Sequence, residues 1–202
     1  MNTIRLKGVL RDIQDSHKIN EIEFCKAQLI VPREDGKEDV LNVRFKKFTN
    51  PYADNKTVTF SGNVRSYSSR LESGKNKVEL YVFTYFDQPD LDENDQEYTN
   101  FLELDGRICK MDELRTTRSN KKNMHVIVAN NLIVSAGAKK LNSYIPCIAW
   151  GSVAEDLAKL SINTKISLKG KLHSREYRKQ LPDNSYEIRV AHEVEISSFE
   201  VL

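Results

Sequence analysis

Apolar residues recur at every second position along most of this chain, the spacing of half-buried strands. The clearest run places Tyr186, Ile188, Val190, Val194 and Ile196 on one face, with Glu187, Arg189, Glu193 and Glu195 on the other. Cys25, Ala27, Leu29 and Val31 alternate in the same way, as do Leu41, Val43 and Phe45. Ile166, Leu168 and Leu172 point one way with Gly170 between them. In the second half the pattern predicts strands over roughly 101–110, 123–130, 143–150, 165–174 and 186–197. One stretch breaks the period. After Trp150 and Gly151, Ser152 and Glu155 fit a capping box, and Val153, Ala154, Leu157 and Leu160 fall on one helical face.

The two halves repeat each other. Leu6-Lys7-Gly8 returns as Leu104-Asp105-Gly106, 98 residues later. Val58, Phe60, Gly62 and Val64 return as Ile166, Leu168, Gly170 and Leu172 at an offset of 108. The same offset pairs Val78, Leu80 and Val82 with Tyr186, Ile188 and Val190. The ten-residue change in offset marks an insertion in the second half, most of it the helix. The first half has FKKFTNPYADNK there, and Asn50-Pro51 would break a helix. Five short strands with a helix between the third and fourth is the order expected of an OB-fold barrel. The expected fold is therefore all-β, two tandem five-stranded OB barrels, the second with a short helix between strands 3 and 4. The expected domains are an N-terminal degenerate barrel (1–86), an acidic linker (87–98) and a C-terminal barrel (99–202).

Composition narrows the function classes. Charged residues make up 30% of the 202, with a formal net charge of +2. Mean hydropathy is −0.55. No apolar run reaches membrane-spanning length and the amino end lacks a signal-peptide core, so a soluble, cytoplasmic protein with no membrane partner is expected. The segment 87–97 holds six acidic residues and no basic ones; outside it 31 basic residues face 23 acidic, a mild surplus compatible with phosphate binding. Cys25, Cys109 and Cys147 have no paired spacing, which argues against a disulfide framework and a zinc site. His17, His125, His173 and His192 have no metal-ligand spacing, and no phosphate loop or nucleophile motif occurs. No cofactor, metal or enzyme activity is expected.

Binding single strands without reading sequence needs a cationic groove and flat side chains on which bases stack. The second half offers Tyr144, Trp150 and Tyr177, with core packing the alternative for Trp150. Arg175, Arg178 and Lys179 surround Tyr177 in the segment 174–185, expected as a basic hairpin loop, with His173 beside it more plausible as a bland exposed residue. Arg115, Arg118, Lys121 and Lys122 form the most basic run, either phosphate contacts or an ordinary surface turn. In the first half Phe45 (or Phe48) stands where Trp150 does, flanked by Arg44, Lys46 and Lys47. Arg65, Tyr67 and Arg70, followed by Lys75 and Lys77, lie in the counterpart of the basic hairpin.

The ordered set Trp150, Gly151, Ala154, Glu155, Gly170, Leu172, Arg175 and Tyr177 resembles the central signature of the bacterial single-stranded-DNA-binding (SSB) protein family. The resemblance covers about 99–200 well, and 1–86 only through the internal repeat. It implies sequence-independent binding and protection of single-stranded DNA in replication, recombination or repair, with Tyr144, Trp150 and Tyr177 at stacking positions. It also implies a homo-oligomer, a homodimer with four barrels being the natural expectation, and pairing at the edges of the first strands. The family has a glycine near Asn120, so the turn there is expected to differ. The chain stops at SSFEVL without the family's acidic tail, so that tail's recruiting mode is expected to be lacking, as in a specialised paralogue, while replication or recombination proteins stay candidate partners through other surfaces. A primosome or replisome-assembly adaptor with the same fold is the alternative, and an RNA-binding OB protein a third reading.

Overall fold

A computed structural model describes residues 1–47, 54–70, 76–84, 100–133, 140–181 and 183–202. The expected linker, Phe48 and Asn50-Pro51 lie outside the described residues, as do the side chains of Arg70, Lys75 and Lys77. The first half forms β1 (Asn2–Ile19), β2 (Ile22–Pro32), β3 (Glu38–Lys46), β4 (Thr57–Arg70) and β5 (Asn76–Thr84). The second forms β6 (Asn100–Met111), β7 (Arg115–Thr116), β8 (Lys122–Ile133), β9 (Lys140–Trp150), α1 (Gly151–Leu157), β10 (Lys165–Gln180) and β11 (Tyr186–Val201). Strands β2-β3-β5-β4-β1 run side by side and close by pairing β1 with β2. Strands β6-β10-β11-β9-β8 close by pairing β6 with β8, with β7 added beyond β8. Each ring holds one parallel pair, β3 with β5 and β9 with β11. The fold is all-β, two closed five-stranded OB barrels, with the one helix of the described residues between the third and fourth strands of the second. No helix among the described residues is long and apolar enough to cross a membrane.

The sequence repeat is a repeat of register. Leu6 pairs with Phe60 and Gly8 with Val58; Leu104 pairs with Leu168 and Gly106 with Ile166. These residues alternate inward, and Leu6, Leu104, Ile166 and Leu168 are fully buried. Gly62 and Gly170 share one role. A Cβ at either would lie 2.2 Å from a neighbouring carbonyl oxygen, of Phe83 or Glu195, so only glycine permits the strands to approach.

The offset expected for the last strand is wrong. Val64 pairs with Val82, and its counterpart Leu172 pairs with Val194, not Val190. A bulge between Lys169 and Gly170 and longer strands account for the difference. Tyr186, Ile188 and Val190 continue the inward-facing stripe of β11, but the hairpin has by then left the barrel and all three are exposed. The helix differs from expectation at its start. Trp150 is its N-cap and no side chain caps it, so Ser152 and Glu155 form no capping box. Gly151 takes a left-handed φ of 57°, which turns the chain so that the helix starts two residues earlier than a Ser152 cap would place it. Ala154 and Leu157 are buried, with Val153 and Leu160 packed at the margin.

The barrels join through their first strands. Asn2 to Leu6 of β1 pair antiparallel with Leu104 to Asn100 of β6. Matching contacts flank this ribbon. Asn2 hydrogen-bonds both backbone groups of Val64, and Asn100 does the same to Leu172. Across the junction Ser66 Oγ accepts from the Tyr144 amide at 2.7 Å, and Ser174 Oγ from the Val40 amide at 2.8 Å. Parallel pairing sets Val43 beside Val82 and Cys147 beside Val194, which makes Val40 the counterpart of Tyr144. The molecule therefore has an internal pseudo-twofold, with self-matching contacts like those of a symmetric dimer.

Candidate nucleic-acid interface

In β9 the residues Ile145, Cys147 and Ala149 face the core, which turns Tyr144, Pro146 and Trp150 to the outer surface, with Ile148 on the same face but covered. Trp150 ends the strand, 38% exposed, and Tyr144 is 51% exposed. Six residues at about 3.3 Å each separate them by roughly 20 Å along one strand. On β10 the inward positions Leu168 and Leu172 leave Arg175, Tyr177 and Lys179 on the outer face with their β11 partners Ala191, Arg189 and Glu187. The expected basic loop is therefore strand up to Gln180, with the turn confined to residues 181–185.

Strand pairing brings three of the expected aromatics, Tyr144, Trp150 and Tyr177, onto one surface with Arg175. The Arg175 guanidinium lies 5.9 Å from the Tyr177 ring centroid, and its Nε donates to Glu193 Oε1 at 3.2 Å. His125 Nδ1 lies 3.8 Å from the same carboxylate. Glu193 thus holds Arg175 beside the ring. On β11, Arg189 donates to Glu187 at 2.8 Å, and its pKa is raised chiefly by that hydrogen bond, with a smaller contribution from Tyr177. Arg178 departs from the set: it pairs with Ile188 on the opposite face of the hairpin.

Trp150 is level with Asn123, and Asn123 with Arg115, so Arg115 belongs to the Trp150 end of the face. Lys122 points to the other side, paired with Thr116. Arg118 and Lys121 lie in the turn between β7 and β8, closed by the Thr117 amide on the Lys121 carbonyl at 2.8 Å. Asn120 holds a φ of 59° there, the conformation that favours glycine and that asparagine tolerates.

In the first barrel the position level with Trp150 is Lys46, not Phe45. Phe45 is 2% exposed and packs on Phe60, ring centroids 5.6 Å apart, so it is a core residue closed to any ligand. Arg44, Lys46, Arg65 and Tyr67 do share the outer face of β3, β4 and β5. Arg65 is buried, its guanidinium 4.0 Å from the Phe83 centroid, and burial lowers its pKa. Arg44 sits 4.2 Å over Tyr81. Phe24, Tyr81 and Phe83 are the rings that sequence reasoning missed. For Tyr81 and Phe83 the signal was present in ELYVFTYF, where they alternate with Leu80 and Val82, so that a second face is aromatic.

His173 is not a bland exposed residue. Its Nδ1 lies 2.7 Å from Asp39 Oδ2, and Asp39, fully buried, also accepts from the Ser174 amide at 2.7 Å. It ties the barrels together. Among the described residues no cluster of histidine, cysteine or carboxylate side chains could hold a metal.

Paired OB barrels with an aromatic and basic outer face define a two-barrel member of the oligonucleotide-binding class. The profile of the "Single-strand binding protein family" matches residues 99–201, just over half the chain, and the chain belongs to that family. No curated protein matches it in sequence. Among solved structures it is similar to wild-type single-stranded DNA binding protein from Thermus aquaticus. The TM-score is 0.73 at 17% identity, covering 100% of this chain and 93% of that one. A deletion mutant of the same protein gives 0.72 at 16%, covering 100% and 94%. At that identity the likeness concerns the fold. The priB protein of Ralstonia solanacearum matches 51% of the chain and 98% of its own at 18% identity, with a TM-score of only 0.39.

Proposed function

We propose that the chain binds single-stranded DNA without reading its sequence, protecting it during replication, recombination or repair. The observation that carries this is the outer face of the second barrel, where Tyr144 and Trp150 on β9 and Tyr177 and Arg175 on β10 flank β11. Bases stack on the three rings, while Arg115, Arg118, Arg175, Lys121 and Lys179 replace condensed counterions along the backbone. Arg178 and Lys122, facing away, contribute charge at a distance. Residues 1–86 and 99–202 act as the two domains, with 87–98 as the link between them.

Two chains together would supply four barrels. The ribbon of β1 and β6 already joins barrels within one chain, so a homodimer would use another surface. A replisome-assembly adaptor is the second reading, favoured by the exposed stripe Tyr186, Ile188 and Val190, which suits a protein partner.

Trp150 is the only tryptophan, so its fluorescence tests the proposal directly. Oligo-dT is titrated at two salt concentrations, with duplex DNA as control. Strong quenching by the single strand that weakens with salt is expected. A folded chain that binds neither nucleic acid, in this and an independent assay, sinks the DNA reading and leaves the adaptor.

A further inference from the structure

We infer that the first barrel carries a second stacking groove, at positions the second barrel does not use, and that one DNA strand runs from one barrel into the other. The inference rests on the function just proposed and names where the strand goes next. The groove has a volume of about 430 Å³, lined chiefly by His17, Phe24, Arg44, Arg65, Tyr81 and Phe83.

Its rings and cations form a connected ladder. His17 stacks on Phe24 with centroids 4.8 Å apart and planes within 10°. Phe24 lies 5.7 Å from Phe83, Arg65 covers Phe83, and Arg44 covers Tyr81. Phe24 is half-buried while His17 is exposed, so the stack ends at solvent on an imidazole. Aromatic and guanidinium planes are the surfaces on which unpaired bases stack. Lys46 completes a lining that, among the described residues, holds three cationic side chains and no carboxylate; Glu79 approaches Arg44 at 4.0 Å from outside it. That charge suits a phosphate backbone and opposes a basic peptide.

The positions are not those of the second barrel. The counterparts of Phe24, Tyr81 and Phe83 there are Asn123, Glu193 and Glu195, which cannot stack. Conversely, the counterparts of Tyr144 and Trp150 in the first barrel are Val40 and Lys46. The rings have moved across the sheet.

A continuous surface joins the two sites. A groove of about 630 Å³ runs between the barrels, lined by Tyr177, Arg189, Glu187 and Glu193 on one side and by Asn42 and Glu79 on the other. Asn42 and Glu79 carry it into a smaller depression that reaches Arg44, and Arg44 lines the aromatic groove. A strand leaving Tyr177 therefore meets Asn42, then Arg44, along the outer face of β3.

The test moves the single indole. In the full chain carrying Phe24→Trp and Trp150→Phe, an aromatic remains at both positions. An oligo-dT of about 30 nucleotides, enough for two barrels at roughly 4–16 nucleotides each, is expected to quench the new indole strongly and salt-dependently. A folded double variant whose indole does not respond, while Trp150 of the wild-type chain is quenched by the same oligomer, overturns the inference and leaves the proposed function standing. No response in either chain, with no binding by an independent assay, removes both. As a second measurement, His17→Ala with Arg44→Gln, retaining Trp150, is expected to weaken binding of that oligomer about tenfold, since one stacked base is worth about 1–3 kcal/mol. Unchanged affinity overturns the inference as well.

Discussion

Trp150 shows how one residue can be read from its neighbours. Gly151 after it, left-handed at φ 57°, turns the chain away and leaves the indole at the strand end. The same alternation that exposes it buries Ile145, Cys147 and Ala149. Trp150→Ala is expected to weaken single-strand binding by at least about 1 kcal/mol, with the thermal midpoint little changed. Full affinity in a folded variant would take Trp150 out of the site. Phe45 carried the opposite lesson. Its basic neighbours resemble those of a binding aromatic, yet it lies on the inward parity of β3 with Leu41 and Val43. Its own alternation was the better guide than its flanking charges.

At the scale of the element, β10 decides which basic residues act together. A loop would let Arg175, Arg178 and Lys179 gather round Tyr177; a strand separates them by parity. Arg175→Gln is expected to lower affinity and reduce the salt slope by about 0.7, one phosphate contact on a single strand. Arg178→Gln, on the other face, is expected to leave the slope nearly unchanged. Equal effects from the two would contradict the strand geometry as the organiser of the site. The strand was legible up to Ser174, where the core-facing period holds. Beyond it the hairpin leaves the barrel, and burial no longer selects its residues, so the period there carried no such information. The capping box failed for a related reason: Gly151 had already made the turn that a serine cap would have made.

At the scale of the molecule, the chain behaves as its own dimer. First strands pair, and Ser66 and Ser174 make equivalent bonds across the junction. At the corresponding buried positions the symmetry is broken, Ser143 on one side and Asp39 on the other. Asp39→Ala would leave the Ser174 amide and His173 without their buried acceptor, and is expected to cost about 1–3 kcal/mol. Because the junction couples the barrels, the loss should appear as a shift in the denaturant midpoint followed through Trp150, which belongs to the other barrel. An unmoved Trp150 transition would mean that the barrels unfold independently.

The sequence by itself determined the two five-stranded units, the return of Leu6-Lys7-Gly8 and of Val58 to Val64 in the second half, and the helix after the third strand. Each of these is local, or recurs at a constant spacing, so periodicity and repetition suffice to reveal it. Tertiary structure alone decided that β1 and β6 pair, that the β10–β11 hairpin projects, that His173 reaches Asp39, and that Phe24, Tyr81 and Phe83 meet Arg44 and Arg65. Those residues lie up to 134 positions apart, as in His173 and Asp39. No pattern along the chain records which outer faces a barrel's closure will bring together.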